Sequence, residues 1–159
     1  APPHCDPARE KMVIDALLAA IEAGVVSSAH DCSDGGLAIA LAECCIAKLD
    51  SERGAEIDLS RYSWLTDRGI LFGETQARII VSSPAPDKVI AIAEASGVPC
   101  AQIGRVRQSS DSLNITLPKG SLRSSLSSLR RAYHSTIPSI KARTVEHANF
   151  DELAPVAAH

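Results

Sequence analysis

Two acids and two glycines stand at the entrance of an apolar segment, where their types and spacing could bind a phosphate. In the stretch SSAHDCSDGGLAIALAECC, the only charged residue after the glycine pair is Glu43. Glycine lets the backbone approach closely, and the free N–H groups at a helix N-terminus attract an anion. Carboxylates there would repel a bare phosphate but could hold Mg²⁺ that bridges to one. The alternative is structural: Asp34 or Ser33 caps the helix and Asp31 caps a turn.

A second polar turn interrupts the apolar run RGILFGETQARIIVSS. Gly73 breaks this run, Glu74–Gln76 present three hydrogen-bonding side chains, and Arg78 could fork onto a phosphate or carboxylate. The alternative is a surface turn in which Arg78 pairs with Glu74. Because both turns place polar groups at the end of an apolar element, we predict that they lie next to each other.

The remaining charges and thiols suggest no further catalytic machinery. Residues 112–145 contain six basic side chains and no acid. Because the whole chain has a net charge of −3, the remaining residues carry a net charge of −9. This basic segment could face an acidic domain or a phosphorylated ligand, or it could be a solvated helix face. His30 is expected to be packed or hydrogen-bonded rather than catalytic. The five cysteines are expected to be small buried hydrophobes in a reducing compartment, because they show no CxxC pair and no disulfide framework.

The composition of the chain bounds the classes to which it can belong. Its 159 residues suffice for one core, and 45% hydrophobic with 22% charged residues is ordinary for a soluble globular chain. Aromatic residues make up only 3%, which argues against a base-stacking surface. No apolar run reaches the roughly 18 residues of a membrane-spanning helix. Since the sequence has no initiator Met, we expect it to be a piece of a longer protein.

Capping residues and apolar periodicity predict the elements that position these turns. Asp6-Pro7 predicts a helix start and Gly24 the end of that helix. The further predictions are strands in VVSSAHD, AEIDLS, ARIIVSS, CAQIGRVR and LNITLP, and helices over roughly 36–48, 86–96 and 121–133. Helices and strands that alternate without strict βαβ repeats favour an α+β or mixed α/β fold, with helices packed on a mixed sheet.

The two motifs together resemble a known pair. AHDCSDGGLAIALAE and LFGETQARIIVS are similar to motifs in the C-terminal domain shared by aminoimidazole ribonucleotide synthetase and its relatives. Within that superfamily the chain most resembles the last domain of the phosphoribosylformylglycinamidine synthase family. The pattern of that family is [HQ]D-x-[SA]-[DE]-G-G-L followed by LF-[GS]-E-[ST]-x-x-R, and RAYHSTIPSI resembles its closing helix. The resemblance covers residues 8–140.

The resemblance implies a fold and a parent enzyme. It implies a three-layer α/β/α sandwich over residues 1–143, followed by a peripheral tail over 144–159. The parent would be a cytoplasmic, ATP- and Mg²⁺-dependent ligase of de novo purine biosynthesis. That enzyme converts formylglycinamide ribonucleotide and glutamine to formylglycinamidine ribonucleotide. Its N-terminal-type domains carry most nucleotide contacts and are absent here, so the chain alone is expected to fold without catalysing or holding ATP or Mg²⁺ tightly.

The resemblance also implies partners and site residues. The partners would be the remaining domains of the parent, a glutaminase and a small carrier subunit, with no nucleic acid and no membrane. Asp31 would hold a magnesium ion, and no catalytic residue is assigned to this chain. The substrate- or phosphate-binding residues would be Ser33, Gly35, Gly36, Glu74, Thr75, Gln76 and Arg78.

Three alternatives remain open at the level of sequence. The chain could be the equivalent domain of aminoimidazole ribonucleotide synthetase, of a selenophosphate synthetase or of a hydrogenase-maturation relative. It could be a non-catalytic scaffold that completes the core of its parent. In either kind of parent, the motifs could line the active site or a pseudo-symmetric auxiliary site.

Overall fold

The computed structural model describes residues 6–48 and 53–135, which form a mixed α+β structure as predicted. The helices are α1 (Pro7–Glu22), α2 (Gly36–Ile46), α3 (Asp67–Phe72), α4 (Pro86–Ala95) and α5 (residues 126–135). The strands are β1 (Ser28–Asp31), β2 (Arg53–Asp58), β3 (Ile79–Ser82), β4 (Gly104–Gln108), β5 (Ser112–Leu117) and β6 (Gly120–Ser125). The predicted tail over 144–159 and Cys5 lie outside the described residues.

The strands form two sheets rather than one. β1 and β3 pair in an antiparallel two-stranded sheet, and the other four strands follow the order β4-β2-β5-β6. β2 runs antiparallel to β4 and parallel to β5, so the larger sheet is mixed, as the element order predicts. β2 therefore separates two strands that are neighbours in sequence.

Helices enclose the small sheet on both sides. Successive residues of β3 face opposite directions: Ile80 packs against the main core beneath α2 and α3, whereas Val81 packs against a second cluster of α1 and α4. This α/β/α layering agrees with the predicted sandwich. The main core also covers one face of the larger sheet, where Leu113 and Ile115 are almost fully buried.

Local capping chemistry positions the first helix where the sequence predicts it. The Asp6 carboxylate accepts hydrogen bonds from the N–H groups of Ala8 at 3.1 Å and Arg9 at 3.2 Å. Gly24 then ends the helix with φ of +69°, a conformation that L side chains rarely adopt. α1 thus starts and ends as its flanking residues indicate.

The predicted helix over 121–133 is wrong in its first turn. Gly120–Ser125 is a strand, and the helix begins only at residue 126. Leu122, Leu126 and Leu129 have helical spacing, which explains the prediction. Leu122 instead lies opposite Ile115 in the β5–β6 pair, and Leu126 enters the main core. Pairing with β5 outweighed the local periodicity.

Two further sequence predictions concern the burial of the cysteines and the length of apolar helices. Cys32 and Cys45 are buried, as expected, but Cys44 is exposed, because its position on α2 turns away from the core. Among the described residues, none of the helices combines the length and apolar content that crossing a bilayer requires.

Candidate functional site

Antiparallel pairing brings the two sequence motifs to one end of the small sheet. Asp31, the last residue of β1, lies opposite Ile79, the first residue of β3. One step further, the Cys32 N–H donates to the Arg78 carbonyl at 2.9 Å. Because neighbouring strands lie about 5 Å apart, the residues after β1 and before β3 must be close neighbours.

A hydrogen bond between the motifs confirms that they are adjacent. The Gly35 N–H donates to Oε1 of Glu74 at 2.8 Å, across 39 residues of sequence. Gly35 is the N-cap of α2, and no side chain of its own segment caps that helix. The alternative in which Asp34 or Ser33 caps α2 is therefore wrong, since a carboxylate from the other motif accepts that N–H. A negative charge at a helix N-terminus also interacts favourably with the helix dipole.

The glycine pair lets α2 begin against the backbone of α3. Gly35 and Gly36 have φ of +78° and +67°. A Cβ on Gly36 would lie 2.8 Å from the Gly73 carbonyl oxygen and 3.1 Å from that of Leu71. The sequence argument that these glycines supply positive φ and close approach is thus confirmed.

Arg78 stabilises the second turn by hydrogen bonds to the backbone of that turn. Its guanidinium donates to the Gly73 carbonyl and, through Nε, to the Thr75 carbonyl at 3.4 Å. No ion pair joins it to Glu74 among the described residues, so the surface-pair alternative is wrong. Ala77 adopts φ of +57°, which is uncommon for a residue with a side chain and marks a strained turn.

Asp31 projects into solvent beside its motif. A hydrogen bond from the Ser33 side chain, followed by a smaller contribution from its own backbone and from nearby His30, lowers the pKa of Asp31. The carboxylate is therefore ionised at neutral pH. His30 itself lies between acids, with Nε2 at 3.2 Å from Glu43 and Nδ1 at 2.6 Å from the Asp31 carbonyl, which agrees with the expected hydrogen-bonded role.

An open cavity of about 530 Å³ lies over the two turns. Its walls include Asp31, Ser33 and the whole segment from Glu74 to Arg78. Gly35 and Gly36 lie behind this wall and shape it through their backbone. The volume falls in the range of small-ligand sites.

Helix α1 supplies a wall of this cavity that the sequence argument missed. Glu10, Val13 and Ile14 line the cavity together with the motif residues. One signal was available in the sequence: α1 carries a second apolar stripe besides its packed Ala16 and Ala20. That stripe is exposed, with Ile14 and Leu18 each 50% accessible.

Two of the donors expected for an anion are already engaged within the chain. The Gly35 N–H donates to Glu74, and Arg78 donates to two carbonyl groups. Glu74, Asp31 and Asp34 add negative charge around the cavity. A phosphate therefore requires either displacement of the Glu74 carboxylate or a cation that accompanies it.

Asp31 fits magnesium only as a minority ligand. No group of three or more His, Cys, Asp or Glu side chains able to hold a metal occurs in the described residues. Mg²⁺ commonly binds one or two carboxylates and takes its other oxygens from substrate phosphates and water. The ionised, exposed Asp31 suits that arrangement.

The basic segment lies away from these motifs. Arg123 lies on β6, at the edge of the larger sheet, and Arg130 on α5 donates to the Lys48 carbonyl at 3.4 Å. Lys141 and Arg143 lie outside the described residues. A partner for this segment remains a prediction.

Fold and motifs together define a domain class. The family described as "AIR synthase related protein, C-terminal domain" matches residues 2–114. The chain belongs to this family. The recognition made from the two motifs is therefore confirmed.

Individual relatives are synthase subunits much longer than this chain. A phosphoribosylformylglycinamidine synthase subunit PurL from Anaeromyxobacter sp. (strain Fw109-5) is 35% identical over 165 residues, covering 96% of this chain and 20% of that protein. The chain thus spans about one fifth of the length of the relatives it matches.

Solved structures agree with that similarity. PurL from Thermotoga maritima complexed with ATP is 25% identical with a TM-score of 0.69, over 79% of this chain and 22% of that one. The PurLQS structure from the same organism is 26% identical with a TM-score of 0.68, again over 79% and 22%. The chain is similar to a region of each.

Proposed function

We propose that this chain is the C-terminal domain of an ATP-dependent ligase that converts formylglycinamide ribonucleotide and glutamine to formylglycinamidine ribonucleotide in the cytoplasm. The observation that carries the proposal is the hydrogen bond from Gly35 to Glu74, which joins both family motifs beside one cavity. The similarity to PurL over 96% of the chain supports the same reaction class. The domain would extend over residues 1–143, and residues 144–159 would be peripheral.

In this proposal the chain provides one wall of a phosphate-binding cleft. Glu74, Thr75 and Gln76 contact the ribonucleotide, and the backbone at Gly35 and Gly36 shapes the cleft beside Ser33. Arg78 holds the Glu-Thr-Gln turn in place through two carbonyl groups. ATP and Mg²⁺, when bound in the parent, supply the phosphoryl group and its charge neutralisation.

The acids explain why the isolated chain would bind such ligands weakly. Asp31, Asp34 and Glu74 repel a bare phosphate, and only Asp31 is assigned to a bridging cation. The opposite wall and most donors would come from the remaining domains of the parent. A glutaminase and a small carrier subunit are the proposed further partners, and the PurLQS structure supports an assembly of this kind.

A domain replacement tests the proposal. The corresponding region of the Anaeromyxobacter PurL is exchanged for this chain, and amidine formation is assayed with formylglycinamide ribonucleotide, glutamine and Mg-ATP. We expect activity within about tenfold of the parent, a loss of about 1.4 kcal/mol in transition-state stabilisation. A folded, inactive chimera would contradict the proposed reaction.

Variants of the motif residues in the active chimera distinguish an active-site role of the motifs from a purely structural one. Thr75→Val and Asp31→Asn should each lower kcat/KM by at least tenfold, whereas Arg53→Gln, at an exposed position outside the cleft, should not. Unchanged kinetics in the first two variants would favour a scaffold or an auxiliary site. A parent gene with a single domain pair would instead indicate the aminoimidazole ribonucleotide synthetase type.

A further inference from the structure

The edge of the larger sheet carries a second surface, formed by residues outside both motifs. A cavity of about 240 Å³ is lined by Arg61, by Arg105 and by Asp58, which is the last residue of β2. The Asp58 carboxylate is engaged locally, because Ser60 donates to it from its N–H at 2.9 Å and from its hydroxyl at 2.6 Å. Arg105 forms no ion pair in the described part of the chain. Two guanidinium groups against one carboxylate leave the lining of the cavity with a net positive charge.

Aromatic residues are concentrated beside this cavity. The chain contains one Trp and two Tyr, and Trp64 lies in edge-to-face contact with Tyr62, their centroids 5.5 Å apart. The Arg61 guanidinium lies 4.9 Å from the centre of the Tyr62 ring. Trp64 is 73% exposed. Tyr62 is half-buried against the main core, whereas Trp64 and Arg61 are exposed. Trp, Tyr and Arg are the residues enriched in protein-interface hot spots.

Strand β4 adds an unpaired edge to the same surface. β4 is the terminal strand of the larger sheet in the described residues, so one side of its backbone has no strand neighbour there. Arg105 lies opposite Glu56, on the exposed face, whereas Val106 lies opposite the buried Ala55. Val106 is nevertheless 57% exposed. An added strand would alternate in the same way, with an acidic residue toward Arg105 and an apolar residue toward Val106.

The size of the cavity decides between a metabolite and a protein. Small-molecule sites usually enclose about 300–1,000 Å³, more than the 240 Å³ found here. This volume favours a single carboxylate side chain over a nucleotide. The exposed apolar residues on either side would stay uncovered by a small anion.

We propose that β4 and the Arg61–Trp64 segment bind an extended segment of a partner protein in which acidic and apolar residues alternate. The segment adds to the free edge of β4, places a carboxylate between Arg61 and Arg105, and covers Val106. This surface differs from the proposed cleft, so the proposal does not depend on the proposed reaction.

The single tryptophan makes the test direct. The fluorescence of Trp64 in the whole chain is followed during titration with the peptide acetyl-Val-Glu-Val-Glu-Val-amide. We expect saturable binding, and about tenfold weaker binding to Arg61→Gln and to Arg105→Gln, each of which removes one charge-assisted contact. Arg53→Gln, at an exposed position on β2, is the matched control and should bind like the parent chain.

The proposal also predicts that the peptide with Lys in place of Glu does not bind. Four outcomes would overturn it. Equal binding of the Lys peptide would show that apolar contact alone accounts for the interaction. Saturation by inorganic phosphate at the same residues would indicate a small-anion site. Fluorescence that changes with protein concentration, together with dimers in sedimentation, would assign the edge to a second copy of the chain. Absence of any peptide binding would also refute the proposal.

Discussion

The motif cleft and the sheet edge differ in how fully their arginines are engaged within the chain. In the cleft, Glu74 accepts from the Gly35 backbone and Arg78 donates to two carbonyl groups, so charged side chains brace the turns. At the sheet edge, Arg107 pairs with Glu56, but Arg105 forms no ion pair with the described residues, and Trp64 is 73% exposed. A recognisable motif can therefore mark residues that build a wall, while contact groups for a partner lie outside any motif.

The largest expected effect on the free energy of unfolding is at Gly36, beside the cleft. Gly36→Ala should destabilise the fold by about 3 kcal/mol, because it adds positive-φ strain and contact with the Gly73 carbonyl. Gly24→Ala is the matched control: its φ is +69°, but a Cβ there meets nothing within 4 Å. It should cost about 1 kcal/mol, as measured by urea unfolding. Equal losses in the two variants would show that close approach at Gly36 is unimportant.

Removing the acceptor of the Gly35 N–H should have the next largest effect. Glu74→Ala leaves the Gly35 N–H without its carboxylate and should cost about 1.5 kcal/mol, the low end for a charged hydrogen bond, since the site is exposed. Glu94→Ala, on the exposed side of α4, controls for loss of one acid. A ΔG of unfolding unchanged by Glu74→Ala would mean that water replaces the carboxylate at no cost.

The two arginines provide the most direct comparison. Arg78→Gln removes the brace of the Glu-Thr-Gln turn and should lower the free energy of unfolding by about 1 kcal/mol. Arg105→Gln, at the sheet edge, should change it by less than about 0.5 kcal/mol, as for most surface substitutions. The contrast fails if Arg105→Gln is the more destabilising variant in the same urea titration.

The smallest expected effect is a change in the pKa of one carboxyl group, that of Asp31. Ser33→Ala removes the main cause of the lowered pKa of Asp31, so that pKa should rise toward the ordinary value of about 3.9. A lowered folded pKa contributes stability above the unfolded value, which is lost as pH falls through the folded value. The variant should therefore be slightly less stable than the parent chain above about pH 4, and this difference should disappear as the pH falls below that value. Carboxyl carbon NMR titration measures the shift, and an unchanged Asp31 pKa would assign its cause elsewhere.

Much of the cleft was predictable from local sequence. Asp6 and Gly24 set the ends of α1, and the glycine pair indicated a close approach, because capping and positive φ depend on one or two residues. The adjacency of the motifs also followed, since both lie at the ends of apolar elements.

Tertiary structure decided what depends on distant partners. The leucines at 122, 126 and 129 have helical spacing, yet pairing of Leu122 with Ile115 makes the first of them part of a strand. The Glu74 carboxylate caps a helix 39 residues away, and α1 lines the cleft, because packing brings together segments whose local patterns are independent. The sheet edge at Arg105 likewise arises from the order β4-β2-β5-β6, which no local pattern encodes. Local sequence determined the ends of α1 and the close approach at the glycine pair, where the energetics are local. Long-range packing determined the acceptor at the start of α2 and which groups remain available to a ligand or partner.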